Sequence, residues 1–336
     1  MIGAGILLAA LSGIFNGLFT TPMKTIPRWR WENIWLVFIL TSCVLIPALV
    51  VALAGADWHE VIRRAPRAAT AGALSFGFAW GFGAILFGLS VHRLGVSLSN
   101  TLVIGLSSAL GALAPMILRG GFHLGAQQQL LLAGIACFLC GVGLCGTAGR
   151  IRDRAMDPGR PATKLPPAGY FFAIGAGVMS AVFNIGYTLA LPVAQTGEDM
   201  GYSPFAATSC IWLLMLGAGA IPNVAYCSLL LVKNGSFGEF GGSAVHATWL
   251  PSILMGFLWG GSIYLYGAAT PMLGNLGPAI GWPLSLAVAL LVANAMGLIL
   301  GEWRGAGVQA ARWMRAGFVA LLVAIILCAG SSQAKP

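Results

Sequence analysis

Long apolar intervals, separated by short clusters of charge, take up almost the whole of this 336-residue chain. The intervals approach or exceed the roughly 20 residues with which an α-helix crosses a bilayer. Backbone in hydrocarbon must satisfy its own hydrogen bonds, so each interval is expected to be a helix. Ten spans are predicted, at about 3–22, 33–54, 70–90, 98–118, 128–147, 167–191, 204–230, 248–268, 275–300 and 313–330. With 58% hydrophobic and 8% charged residues, the chain has too little polar side chain to cover a water-soluble globule. The N-terminus lacks the basic region of a cleaved leader, and its first apolar run is long enough to stay as a helix.

An internal repeat narrows the architecture further. Gly77-Phe-Ala-Trp-Gly-Phe-Gly-Ala-Ile-Leu-Phe-Gly88 returns as Gly256-Phe-Leu-Trp-Gly-Gly-Ser-Ile-Tyr-Leu-Tyr-Gly267. Extended to Gly95 and Gly274, the two segments share eight of nineteen positions at a constant offset of 179. Ser12-Gly-Ile-Phe-Asn16 likewise matches Ser180-Ala-Val-Phe-Asn184, and Pro47 and Pro222 lie late in the second span of each half. The one long polar linker, 148–166, separates an N-terminal half (1–147) from a C-terminal half (167–330), and 331–336 form a short tail. Five spans per half is an odd number, so the halves enter the membrane from opposite sides. The expected fold is all-α, ten transmembrane helices in two inverted-topology five-helix repeats, the usual build of a transporter. Gly77 with Gly81, and Gly256 with Gly260, place paired glycines one helical turn apart, where another backbone can approach closely.

The net charge of +9 is distributed as a topology signal and does not point to nucleic acid. Thirteen basic residues follow the odd-numbered spans: Lys24, Arg28, Arg30, Arg93, Arg150, Arg152, Arg154, Arg160, Lys164, Lys233, Arg304, Arg312 and Arg315. Five lie on the other side: Arg63, Arg64, Arg67, Arg119 and Lys335. The charge rule makes the 148–166 loop cytoplasmic and turns both termini outward.

Polar side chains inside spans are the functional candidates, because an unpaired carboxamide in hydrocarbon is costly. Asn16 and Asn184 hold equivalent places in the first and sixth spans, Asn294 lies in the ninth and Asn223 in the seventh. Tyr187, Tyr264, Tyr266 and Trp282 add aromatic surfaces with a polar edge, and Trp80 and Trp259 recur at matching repeat positions. The set suits a small neutral, hydroxylated solute: amides exchange hydrogen bonds with hydroxyls, and an aromatic face covers the carbon side of a sugar ring. Asn16, Asn184, Trp80, Trp259, Tyr264, Tyr187, Trp282 and Asn294 are the expected substrate residues. Each also has a structural reading, the amides as ties between helices and the rings as packing wedges.

No acidic residue falls in the middle of a predicted span, which disfavours an exporter of organic cations. For proton coupling Glu302 is the leading candidate, since it closes a long apolar run; interfacial anchoring beside Trp303 is the alternative, and Arg304 would oppose protonation. His92, His246, His59 and His123 read as helix-end or loop residues. Cys137 and Cys140 are spaced like metal ligands but lack a neighbouring histidine or carboxylate, so the seven cysteines read as packing residues and no metal or cofactor is expected. The motifs of zinc hydrolysis, of a nucleophile elbow and of phosphate binding are missing, so an enzyme is not expected.

The chain resembles the L-rhamnose–proton symporter family of the drug/metabolite transporter superfamily. The likeness rests on Phe78-Ala-Trp-Gly-Phe-Gly83 continuing to Phe87-Gly-Leu-Ser-Val-His-Arg-Leu-Gly95, on Leu300-Gly-Glu-Trp-Arg304, on Pro22-Met-Lys24, on Trp29-Arg-Trp-Glu32 and on the span bearing Pro192. It implies two inverted five-helix repeats in a bacterial inner (plasma) membrane, taking up a 6-deoxyhexose with a proton. The family tends to carry an asparagine in the third span and a glutamine in the eighth, where this chain reads Gly83-Ala-Ile-Leu-Phe-Gly88 and Ser262-Ile-Tyr264. Alternating access around a central site is the expected mechanism, in a chain that functions as a monomer among membrane lipid. Rival readings are an exporter of amino acids or other metabolites, a facilitator without ion coupling, and a non-transporting membrane scaffold.

Overall fold

The computed structural model describes residues 1–336 apart from 95, 122–123, 157–166, 242–244 and 335–336. Arg160 and Lys164 of the linker, His123 and Lys335 therefore lie outside the described residues. Among the described residues, ten helices are long and apolar enough to cross a membrane: Ile2–Thr25, Trp31–Ala54, Arg67–Ser90, Leu98–Arg119, Ala126–Met156, Pro167–Asp199, Pro204–Asn234, His246–Met272, Gly277–Ile299 and Gly307–Ser331. They are taken below as the first to tenth spans.

Several boundaries differ from the sequence reading: the tenth helix begins at Gly307, ahead of the expected 313, and the eighth ends at Met272, beyond the expected 268. The fifth helix runs on to Met156, so the first part of the 148–166 linker is helical. Gly149 alone does not stop it, and the next breaker is the Pro158-Gly159 pair. The sixth helix continues through Pro192 to Asp199; a membrane helix tolerates the proline because neighbours and side-chain hydroxyls satisfy the freed backbone. The seventh helix reaches Asn234, where Gly235 caps it in a left-handed conformation at φ 64°.

The second span is not uniform. Its α-helical ends, Trp31–Ile39 and Ile46–Ala54, are joined by a π-helical turn, Leu40–Leu45, in which the Ile46 N–H reaches the Thr41 carbonyl. Pro47 explains the extra residue: its ring cannot lie against the carbonyl four residues back, and a wider turn relieves the clash. Beyond this span a short helix, Trp58–Arg64, lies at the less basic end, capped by Asp57, which accepts from the Glu60 N–H at 3.1 Å. Hydrogen bonds and charge from Arg63 and then Arg64 hold the Glu60 carboxyl down at about 2.

Packing follows the repeat. The third span lies on the sixth and seventh, and the eighth lies on the first and second. The fourth packs on the sixth as the first packs on the ninth, while the fifth and tenth pair with each other. The paired glycines make these contacts possible. Gly77 faces the Met215 backbone and Gly81 the Gly219 carbonyl of the seventh span. In the other half, Gly256 faces Thr41 and Gly260 faces Ser42, both on the π-helical turn of the second span, and Gly260 also meets Ile46 just beyond it. Lipid tails are as apolar as these helices, so such close backbone approach supplies the association that hydrophobic burial cannot. Two serine bonds repeat the relation: Ser12 to Ser285 at 2.9 Å joins the first and ninth spans, and Ser107 to Ser180 at 2.8 Å joins the fourth and sixth.

Candidate solute-binding site

An aromatic column runs through the seam between the halves. Its centre is the repeat pair: Trp80 and Trp259 stack with ring centroids 5.2 Å apart and planes inclined by 13°. Phe183 lies 4.9 Å from Trp80, and Phe38 lies 5.9 Å from Trp259, edge to face. From Phe38 the column continues toward the basic end through Trp35 and Trp31. On the other side Phe183 leads to Trp212, which stacks on Tyr187 at 4.5 Å and 5°. Helical periodicity builds the column: Trp31, Trp35 and Phe38 recur at one-turn spacing on one face of the second span.

The buried amides divide into two kinds. Asn184 is fully buried, donating to the Gly111 carbonyl at 2.7 Å and the Pro278 carbonyl at 3.0 Å, while its Oδ1 accepts from the Tyr266 hydroxyl. Asn223 donates to the carbonyls of Gly81 and Gly219, both at 3.0 Å, and accepts from the Trp35 indole at 3.2 Å. Both act as ties between helices in this conformation. Asn16 differs: it is only partly buried, and its amide has no side-chain hydrogen bond among the described residues. It stands one turn from Ser12, bonded to the ninth span, and three residues from Phe19, which stacks on Phe38 at 5.6 Å. Asn294 donates to the Leu290 carbonyl of its own helix at 2.8 Å, and its Oδ1 accepts no hydrogen bond among the described residues.

The ring candidates also separate. Trp80 and Trp259 are in contact. Tyr187 is bonded to Thr270 at 2.6 Å, and the Trp282 indole donates to the Ser107 carbonyl at 3.2 Å; both rings lie against Tyr266, which bonds Asn184, away from the basic loops. Tyr264 is buried with a hydroxyl that has no hydrogen-bond partner among the described residues, as is the Trp212 indole N–H.

Glu302 lies at the basic end, 36% exposed at the side chain, where Lys24 of the first span bonds its Oε1 and Arg152 of the fifth lies 3.8 Å from Oε2. Arg152 also covers the Trp303 ring at 4.8 Å and bonds Asp153 at 2.7 Å. The opposing cations are thus Lys24 and Arg152, and not Arg304, the sequence neighbour expected in that role: sequence proximity does not reveal which helix ends meet. Nearby, buried Glu32 accepts from Asn234 and Ser236, both at 2.8 Å, tying the second span to the end of the seventh. Among the described residues no group of three or more metal-ligating side chains gathers.

The sequence profile of the L-rhamnose-proton symport proteins (RhaT) matches residues 1–333. The chain belongs to that family. Relatives from the same family are the L-rhamnose-proton symporters of Cronobacter sakazakii, 27% identical, and of Escherichia coli O1:K1 and Citrobacter koseri, each 25% identical; every match covers 96% of both chains. The fold is also similar to a protein crystal structure at 14% identity, with a TM-score of 0.59 over 98% of this chain and 95% of that one. Membership in this family of transporters agrees with an absence of enzyme motifs in the sequence. Sequence reasoning passed over Phe38, Trp35, Phe183 and Trp212 as site residues. Phe183 stood inside the Ser180–Asn184 repeat match, a usable signal; Trp212 carried none.

Proposed function

We propose that this chain takes up L-rhamnose or a closely related neutral sugar together with a proton, by alternating access, across the bacterial inner membrane. The observation that carries this reading is the family match over essentially the whole chain. The names of the relatives supply the sugar and the ion. The site chemistry is compatible with the sugar: an indole face suits the carbon side of a pyranose ring, and Asn16, Asn294 and the Tyr264 hydroxyl, without a partner among the described residues, offer hydrogen bonds to its hydroxyls. Direct stacking leaves no room for a sugar between Trp80 and Trp259, so solute binding parts the pair or uses an outer face of one ring.

The two halves act as inverted repeats rocking about this seam. The mated glycine contacts and the mated serine bonds support that relation. The whole pathway lies within one chain, which functions as a monomer, with the basic loops cytoplasmic and lipid against exposed side chains such as Leu53, Val232 and Ile299. Glu302 carries the proton. Ionised, it joins the ends of the first, fifth and ninth spans through Lys24 and Arg152; protonated, it releases them.

The test is transport into sealed liposomes holding purified protein, with labelled L-rhamnose and an imposed inward proton gradient. Concentrative uptake abolished by a protonophore is the expected result. Folded protein that neither binds nor moves L-rhamnose or related sugars would overturn the reading.

A further inference from the structure

The two ends of the seam are closed by different chemistry, although the repeat builds both. At the end away from the basic loops, Asn184 alone joins four spans: its own sixth, the fourth through Gly111, the ninth through Pro278 and the eighth through Tyr266. The Tyr266 hydroxyl also reaches the Pro278 carbonyl at 3.2 Å. About one turn along the sixth span, Tyr187 and Thr270 make a second link to the eighth, at 2.6 Å. Tyr187, Tyr266 and Asn184 are all buried.

The equivalent places in the other half are Asn16 for Asn184, Phe19 for Tyr187 and Phe87 for Tyr266. Neither phenylalanine can donate a hydrogen bond, and Asn16 has no side-chain hydrogen bond among the described residues. Among the described residues the repeat-equivalent side chains therefore form no such hydroxyl–amide bolt; the buried amide nearer the basic end, Asn223, is held by the Trp35 indole and two backbone carbonyls.

We infer that the Tyr266–Asn184 hydrogen bond holds the outer end of the transport pathway shut, and that Tyr266 positions Asn184 for that task. This rests on the alternating-access reading above. Opening the outer end separates the sixth span from the eighth and ninth, and strands a buried hydroxyl and a buried amide. Such groups are costly to leave unmade where little water reaches them. A hydroxylated solute entering from outside offers replacement donors and acceptors, so its arrival and the opening of the bolt favour each other.

The test uses Tyr266→Phe and two single-cysteine reporters with a membrane-impermeant maleimide. Thr188→Cys reports on the sealed end, beside Asn184, and Asn16→Cys reports on the opposite end. In Tyr266→Phe, labelling of the Thr188→Cys reporter from the outside should rise roughly three- to tenfold, the shift that loss of one buried hydrogen bond produces. Labelling of the Asn16→Cys reporter from the cytoplasmic side should fall, because one population grows at the cost of the other. General loosening would raise both signals and overturn the inference, as would no change in either, or a rise at Thr188→Cys from the cytoplasmic side only. Should Tyr266→Phe not fold, Thr270→Val, which frees Tyr187 in the same seal, is expected to move the reporters in the same directions. The readout needs no solute, so it is independent of whether L-rhamnose is the sugar carried.

Discussion

Trp80 and Trp259 hold the same place in two copies of one sequence repeat, and in the folded protein they stack on each other at 5.2 Å. A repeat pair that meets face to face lies on the relation between the halves, where any relative movement must pass. Packing wedges placed for bulk alone have no reason to meet at that line.

Removing either indole should weaken solute binding more than it weakens the fold. Trp80→Ala and Trp259→Ala are each expected to raise the apparent Kd for L-rhamnose about tenfold, with Trp80→Phe retaining most of the affinity. Isothermal titration on detergent-purified protein measures this. Unchanged affinity in both alanine variants would remove the stack from the site.

The two asparagines at matched positions should respond differently. Asn184→Leu takes away a fully bonded amide and leaves the Tyr266 hydroxyl only its longer bond to the Pro278 carbonyl, so a stability loss of about 1–3 kcal/mol is expected. Asn16→Leu removes no side-chain bond seen among the described residues and should melt within a degree or two of the parent, roughly the range of a neutral change. It should nevertheless lose solute binding. Thermal unfolding and binding measured on the same preparations separate the roles, and equal melting losses for the two variants would contradict them.

Glycines at the mated contacts should be intolerant of even one methyl group. A Cβ at Gly81 would stand 2.5 Å from the Gly219 carbonyl, and one at Gly256 would stand 2.5 Å from the Thr41 Cβ. Gly81→Ala and Gly256→Ala are expected to destabilise by about 1–3 kcal/mol, as overpacking does, and to slow transport. Gly72→Ala and Gly143→Ala, which meet nothing within 4 Å, serve as controls and should be neutral or slightly stabilising.

Glu302→Gln should uncouple the proton without unfolding the protein. The pairs with Lys24 and Arg152 are partly exposed, so their loss changes stability by no more than about 1 kcal/mol. Sugar exchange across the liposome membrane should persist, while the alkalinisation that accompanies sugar entry disappears. Normal alkalinisation in this variant would exclude Glu302 from the coupling.

The sequence by itself determined the ten membrane helices, because a run of some 20 apolar residues has one stable backbone solution in hydrocarbon. The family was legible at the same level, in motifs such as the Phe78–Gly83 run and Leu300–Arg304. The matched glycines and tryptophans were visible too, as identities at a fixed offset. Which surface each glycine meets was not: Gly77 lies on the seventh span and Gly256 on a π-helical turn of the second, and neither partner is near in sequence.

Tertiary structure alone decided which polar groups remain available. Asn16 and Asn184 look alike in the chain, yet one amide has no side-chain hydrogen bond among the described residues and the other is saturated by a tyrosine 82 positions away and two carbonyls on other helices. The cations at Glu302 were hidden for the same reason, since Lys24 and Arg152 reach it only when three helix ends converge. Local pattern dictates whether a segment is a helix, because those hydrogen bonds close within four residues. Pairing between side chains depends on which faces meet, and only the packed bundle brings those faces together.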